Sequence, residues 1–246
     1  MRVSARPKVA SQLARTIMRE IASGDLQPGD HFASEQELMT RLHVSRSSLR
    51  EALRLLESFG VIASRRGTGG GIRVTWPRAQ QIASSLAMAL EWRDATLRTV
   101  LEARGVIDPT LAALAARRRS EEHVKELEDC IRIMRDQIDD PVAFDNANRH
   151  FHDVVADASG NQLMAILSPS LTWMSATVGW THPLPVRPRL IAANQFICDA
   201  IREHDSWLAS QRMSQMLALI ENVTPEQSAI LRKPIIWADV DEMLEP

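Results

Sequence analysis

Cysteine is almost missing from this chain: 246 residues hold only Cys130 and Cys198, far apart in sequence. Two such residues cannot build a disulfide framework. With no Cys-x-x-Cys spacing they also exclude the usual cysteine-ligated zinc and thiol-redox motifs. Both read as small buried residues in a reducing compartment. Long apolar runs are missing as well. No stretch approaches the ~18 residues needed to cross a bilayer, and the polar segment Met1–Pro7 carries no apolar leader core. The sequence therefore predicts a soluble, cytoplasmic protein with no membrane partner. A glycine cluster is present at 67–71, but no Gly-Lys-Ser/Thr ending follows it and no strand-to-helix dinucleotide context surrounds it. That excludes a phosphate-cradling nucleotide loop. Neither internal repeats nor low-complexity segments are evident.

What remains is ordinary globular composition, 45% hydrophobic and 24% charged, with mass enough for two compact domains. The formal net charge of −2 hides an asymmetry. Residues 1–78 hold 13 Lys and Arg against 7 Asp and Glu, a net of +6, which leaves −8 for the rest. Twelve of those 13 cations are Arg, the better fork for phosphate and guanine. A basic module tied to an acidic one suits a nucleic-acid-binding head on a sensing or oligomerising body.

The informative stretch is Ser34–Val74. Ser34 and Glu37 have capping-box spacing, which predicts a short helix from Glu35 burying Leu38 and Leu42. His43-Val44 turns the chain and Ser45 is placed to cap a second helix. That helix buries Leu49, Ala52, Leu53 and Leu56 and stops at Gly60. Two helices so closely joined make a helix-turn-helix. A further amphipathic helix, Lys8–Ser23, with Val9, Leu13, Ile17 and Ile21 on one face, supports it from behind, and 24–33 reads as a loop. At the start of the second helix Ser45, Arg46, Ser47, Ser48 and Arg50 offer hydroxyls, amides and two guanidinium groups, the chemistry that holds phosphates and reads guanine. Beyond Gly60, Val61–Ser64 and Ile72–Val74 flank Arg65-Arg66-Gly67-Thr68-Gly69-Gly70-Gly71 and predict a β-hairpin with a basic tip, a wing.

These residues resemble the GntR family of bacterial transcription regulators. The resemblance runs over roughly residues 8–76. It is carried by Ile21-x-x-Gly24-x-Leu26-x-Pro28-Gly29-Asp30, Ser34-Glu35-x-Glu37-Leu38, Val44-Ser45-Arg46, Arg50-Glu51-Ala52-Leu53, Gly60 and the glycine-rich wing. It implies that Ser45, Arg46, Ser47, Ser48 and Arg50 contact double-stranded DNA, with Arg65, Arg66 and Gly67 at the wing. Gln36 departs from the FadR type of the family, which often has Arg there.

The domain boundary is expected at Trp76-Pro77, giving a winged helix-turn-helix at 1–76 and a helical effector-binding and dimerisation domain at 77–246. From Ala79 the periodicity is helical: about 79–92, 96–118, 120–138, 141–160, 161–179, 189–204 and 206–222, with a last short helix from Pro225. The expected fold is thus mainly α, a winged head with a small β-hairpin and an antiparallel helical bundle. Glu102-x-Arg104-x-x-x-Asp108-Pro109 and Phe151-His152-Asp153 with Ser159-Gly160-Asn161 resemble the C-terminal domain of FadR-type regulators, known as an FCD domain. The resemblance implies a small effector inside the bundle and, in many members, a divalent metal held by Asp or Asn and three His. Here those positions fall on Asn148, His152, Asn194 and Met216, a degenerate set for a zinc-like ion, with Asn148 and His152 its best members.

Asp145, His150 and His204 rebuild a metal site only if they turn inward. Arg104, Asn148, His152, Asn194 and Met216 are the candidate effector residues, Arg104 as a carboxylate or phosphate fork. The alternative is that Arg104 pairs with Glu102 or Asp108 and His152 is a satisfied core histidine. A second pocket, apolar and metal-free, would use Trp173, Met174, Trp180, Phe196 and Met216 for an acyl or ring-shaped ligand. The expected function is a homodimeric, effector-responsive repressor on a palindromic operator. The competing class, a metal-dependent helical-bundle enzyme, lacks a nucleophile–base arrangement, an intact metal motif and any use for the basic head.

Overall fold

The computed structural model describes residues 6–65, 71–179, 181–221 and 229–237. The chain divides into two compact units, 1–81 and 82–246, so the division falls inside a helix a few residues beyond the Trp76-Pro77 turn. In the first unit α1 (Arg6–Ser23) buries Ala10, Leu13, Ala14, Ile17 and Ile21. Val9, expected on that face, is instead exposed, and Ala10 takes the inward place because 3.6-residue periodicity drifts away from a strict four-residue repeat. The helix α2 (Glu35–Leu42) starts at a complete capping box: Ser34 Oγ accepts from Glu37 N and Glu37 accepts from Ser34 N. It ends at His43 in the left-handed region, φ 51°. The next helix, α3 (Arg46–Ser58), buries Leu49, Ala52, Leu53 and Leu56, the four residues expected. Gly60 ends it with φ 69°, and a Cβ there would stand 2.3 Å from the Gln81 side chain.

The wing is a three-stranded antiparallel sheet, not a lone hairpin. Strands β2 (Ile62–Arg65) and β3 (Gly71–Val74) pair in the register Ile62 with Val74 and Arg65 with Gly71. His31–Ala33, read as loop from sequence, forms β1 and covers the other edge of β3, giving the order β1-β3-β2. Three residues are too few to show an alternating pattern, yet the open edge of β3 rewards any segment that pairs with it. The tip, including Arg66 and Gly67, lies outside the described residues.

The second unit is helical: α4 (Ala79–Glu91), α5 (Leu97–Arg118), α6 (Glu121–Asp136), α7 (Pro141–Ala158), α8 (Gln162–Thr177), α9 (Arg187–Arg202) and α10 (Ser206–Glu221). Local signals set most of these ends. Ser120 caps α6, with His123 closing the box where Glu or Gln is usual. Asp140 accepts from Val142 N and Ala143 N ahead of Pro141. Arg187 and Pro188 open α9, two residues before the expected start, after a short 3-10 turn at Leu184–Val186. The helix expected from Pro225 falls mostly outside the described residues. Helix α5 is central and packs on α7, α8, α9 and α10. Its buried line runs through Leu97, Val100, Leu101, Arg104, Asp108, Leu111, Ala112, Ala115 and Ala116, so two charged residues lie in the core. Helix α7 in turn buries Phe144, Ala147, Asn148, Phe151, His152 and Val155, among others. Residues 233–237 strap the start of α5 to α4, through Leu97 N to Lys233 O at 3.0 Å and Trp237 Nε1 to Ser84 Oγ at 2.9 Å.

Candidate functional site

In the first unit the N-terminal turn of α3 stands in solvent. Ser45 Oγ accepts from Ser48 N at 3.2 Å and lies 3.1 and 3.0 Å from the Ser47 and Ser48 hydroxyls. Three hydroxyls and the unpaired amides of a helix start therefore converge at one positive dipole end. Arg46 and Arg50 are exposed. Arg50 Nε lies 3.8 Å from Glu35 Oε1, too long and too wet to fix it. Arg46, Ser47, Arg50, Glu51 and Arg54 share one concave stretch of surface. Arg54 is absent from the sequence-derived set, although its spacing four residues after Arg50 places it on the same stripe. By contrast Arg73 is committed elsewhere, donating to Gly29 O at 2.6 Å. Gln36 is exposed on α2 beside Thr40 and Arg41.

In the second unit a cavity of about 50 Å³ is lined by Leu97, Leu101, Arg104, Asp145, Asn148, Arg149, His152, Thr172, Ser175 and His182. Three candidate residues, Arg104, Asn148 and His152, thus meet there. Arg104 Nε donates to Asp108 Oδ2 at 2.9 Å, and Ser168 Oγ donates to Asp108 Oδ1 at 3.0 Å. Of the two acids considered for Arg104, Asp108 is the partner. Arg104 Nη2 lies 2.9 Å from the same Asp108 oxygen without an aligned hydrogen bond. His152 is not a satisfied core histidine, because its buried Nδ1 has no partner. Burial, then the nearby Arg104 charge, pushes its pKa down to about 3, so the ring is neutral. Asp153, next on α7, is pushed up to about 6, chiefly by burial.

Asn194 sits behind the cavity wall, its Nδ2 donating to Asn148 Oδ1 at 2.9 Å and lying 3.4 Å from Met134 Sδ. Met216 does not join this set. It is buried in the bundle and lines a separate groove with Arg189, Ala192, Ala193, Phe196, Arg212, Gln215 and Leu219. The apolar pocket expected from sequence is likewise split. Phe196 and Met216 line that groove, Met174 is core, Trp173 lies under Arg149 at 5.1 Å, and Trp180 is outside the described residues. Sequence reasoning missed His182, whose Nδ1 lies 2.7 Å from Asp145 Oδ1. The loop carrying it is held by Arg187 Nε donating to His182 O at 2.8 Å. A lone His between Thr181 and Pro183 carries no spacing signal, and only the fold brings it to α7.

The metal implied by the resemblance does not fit these residues. Asn148 Oδ1, the ligating atom of that side chain, is engaged by Asn194, and Met216 faces elsewhere. Of the substitutes, Asp145 turns inward but binds His182, His150 pairs with Glu126 at 3.0 Å on the surface, and His204 Nδ1 lies 2.7 Å from Ala116 O. Among the described residues no three His, Cys, Asp or Glu gather as a metal group. Both cysteines are buried, and burial pushes their thiols up to about 12 and 11, so neither is a ready thiolate.

A winged helix with a cationic helix start, joined to a second unit that is helical among the described residues, suits a DNA-binding regulator. Residues 9–74 match the bacterial regulatory proteins of the gntR family, and residues 99–219 match the FCD domain. The regulator YcbG of Bacillus subtilis is 30% identical over 88% of this chain and 90% of its own. The galactonate operon transcriptional repressor of Escherichia coli is 24% identical over 82% and 91%. A GntR structure from Streptococcus agalactiae superposes with a TM-score of 0.69 at 23% identity, covering 87% of this chain and all of that one. The chain belongs to the GntR family: it is a DNA-binding transcription regulator with an FCD domain, and not an enzyme. No helix among the described residues is long and apolar enough to cross a membrane.

Proposed function

We propose that this regulator is a cytoplasmic homodimeric repressor that binds a palindromic operator through residues 1–76 and releases it when a small organic acid enters the bundle of residues 77–246. The observation that carries the DNA reading is the exposed, cap-ordered turn Ser45–Arg50, where hydroxyls and amides suit phosphate and Arg46 and Arg50 suit guanine. Arg65, Arg66 and Gly67 are proposed for the wing. Two-fold pairing would place two such turns one helical repeat apart on the duplex. The repressor sense is supported by the name of the galactonate operon relative. The effector reading rests on the cavity formed by Arg104, Asn148 and His152, with Asn194 supporting it from behind. A ligand there acts only if it binds one arrangement of the bundle better than the other.

Fluorescence anisotropy with duplexes from upstream of the protein's own gene tests the DNA reading. Affinity should fall steeply with salt. Arg46→Ala should relax specificity at one base position, while Arg66→Ala should weaken all sequences evenly. Absence of salt-sensitive binding to any such duplex, or matching specificity profiles for the two variants, would contradict this assignment of contacts.

A further inference from the structure

Which end of the Asn148 amide reaches the cavity depends on one buried hydrogen bond. Asn194 Nδ2 stands between two acceptors, Asn148 Oδ1 at 2.9 Å and Met134 Sδ at 3.4 Å. A thioether has lone pairs and no proton, so the amino end of Asn194 belongs in that corner, and the Asn194 carbonyl is left buried without a partner. Asn148 Oδ1 is thereby turned toward Asn194, and its amino group is the end left for the cavity that Asn148 lines. This decides the sign of what can bind. An asparagine ligates a cation through its carbonyl oxygen, whereas an amide NH2 needs an acceptor.

The other cavity groups agree. Arg104 donates Nε to Asp108, and its buried Nη2, though 2.9 Å from the same Asp108 oxygen, makes no aligned hydrogen bond. Arg149, a second guanidinium, lines the same space. Asp145, the carboxylate on the cavity wall, is engaged by His182. Leaving desolvated donors without aligned acceptors is costly, so a ligand that brings well-placed oxygen acceptors relieves that cost on entry.

We infer that this cavity takes the oxygens of a small carboxylate directly on the Asn148 amino group and Arg104 Nη2, without an intervening metal ion, and that Asn194 is the positioning residue that sets this polarity. The inference rests on the organic-acid reading of the body and adds how the acid is held. About 50 Å³ admits a head group of a few heavy atoms, such as a carboxylate beside the apolar Leu97 and Leu101. The amide pair stands where the family resemblance puts metal ligands, and it ties α7 to α9 by protein atoms alone.

The test uses the full chain after chelator treatment. Sodium acetate and sodium glycolate are titrated with and without EDTA, followed by the Asn148 side-chain amide signal in nitrogen-edited NMR. Zinc and nickel ions are titrated alone by calorimetry. Saturable carboxylate binding, with a Kd unchanged by EDTA and no stoichiometric uptake of either metal, is expected. Asn194→Asp keeps the shape and replaces the donor by an acceptor, so the Asn148 carbonyl turns to the cavity. Carboxylate affinity should then fall by about tenfold or more, the loss of a charge-assisted hydrogen bond. Should that variant fail to fold, the wild-type titrations decide. Carboxylate binding that appears only with added metal, or stoichiometric zinc binding abolished by His152→Ala, overturns the inference and leaves the organic-acid reading intact. No carboxylate binding under either condition removes both.

Discussion

In the head the polar groups assigned to function stand in water at a helix start, while in the body the corresponding groups are buried and hydrogen-bonded across helices. Arg50 and Glu35 lie 3.8 Å apart with both side chains substantially exposed, whereas Arg104 and Asp108 meet at 2.9 Å with side-chain exposures of 6% and 3%. The same pair of charges has opposite consequences in these settings. In water an ion pair contributes little and leaves Arg50 free to find phosphate or guanine. Inside the bundle neither charge can be left alone. The head thus keeps its cations available by exposure, and the body keeps its own fixed by mutual neutralisation.

Breaking each pair tests that contrast, and the body should show the largest effect. Asp108→Ala strands the Arg104 guanidinium in the core and should destabilise the body by about 3–5 kcal/mol. The measurement is urea denaturation followed by tryptophan fluorescence, since five of the six tryptophans, all but Trp76, lie in the body. Replacing both partners with Leu should recover most of that loss. In the head, Glu35→Ala should shift stability by less than about 1 kcal/mol. Equal losses from the two single substitutions would erase the distinction.

Next in size are the head's proposed base contacts. Arg46→Ala and Arg50→Ala should each weaken operator binding by about 1–3 kcal/mol, roughly tenfold to a hundredfold, while urea midpoints stay near wild type. Anisotropy and denaturation on the same samples separate the two readouts. A stability loss that matches the affinity loss would mean that these arginines hold the head together instead.

The body carries an acid response that comes from burial. His152 has a folded pKa of about 3, below its ordinary 6.5, so the unfolded chain binds the extra proton between those values and stability falls as pH drops through that window. Asp153, raised to about 6 from 3.8, has the opposite sign: the folded chain binds the proton, and stability falls as pH rises from 3.8 to 6. Between pH 4 and 6 the two oppose each other. Wild-type stability should be nearly flat there and fall below pH 4. Asp153→Asn should expose the histidine slope from about pH 6.5 downward, visible in denaturant midpoints across a pH series. A variant as flat as wild type from pH 4 to 6 would show that the Asp153 term is not what cancels it.

How much was legible from sequence follows the same division. Ser34, Glu37, Ser45 and Gly60 act on backbone a few residues away, so the capping box, the two helices and the α3 core could be read directly. The body helices were legible because Ser120, Asp140 and Pro141 mark their starts locally. Strand β1 was not, since its pairing depends on β3 some forty residues later. The cavity was half legible. Asn148 and His152 share a helix face by spacing alone, but the Asn194 bond, the Asp145–His182 contact and the departure of Met216 to another groove depend on how α7, α9 and α10 rotate against one another. A list of conspicuous Trp and Met residues could not foretell that Met174 would be core and Phe196 surface.

The smallest expected effect tests the capping serine of the proposed contact turn, Ser45. Its hydroxyl accepts from Ser48 N, so Ser45→Ala should cost about 1 kcal/mol of stability through the lost cap. Asparagine caps as well as serine, and Ser45→Asn should restore that stability. DNA affinity need not follow. If the serine serves only by ordering the turn, Asn restores operator binding together with the urea midpoint. If the hydroxyl itself meets phosphate, Asn rescues stability and leaves affinity low. The proposed contact role requires the second pattern, and parallel recovery of both quantities would assign Ser45 to the scaffold, leaving Arg46 and Arg50 to read the duplex.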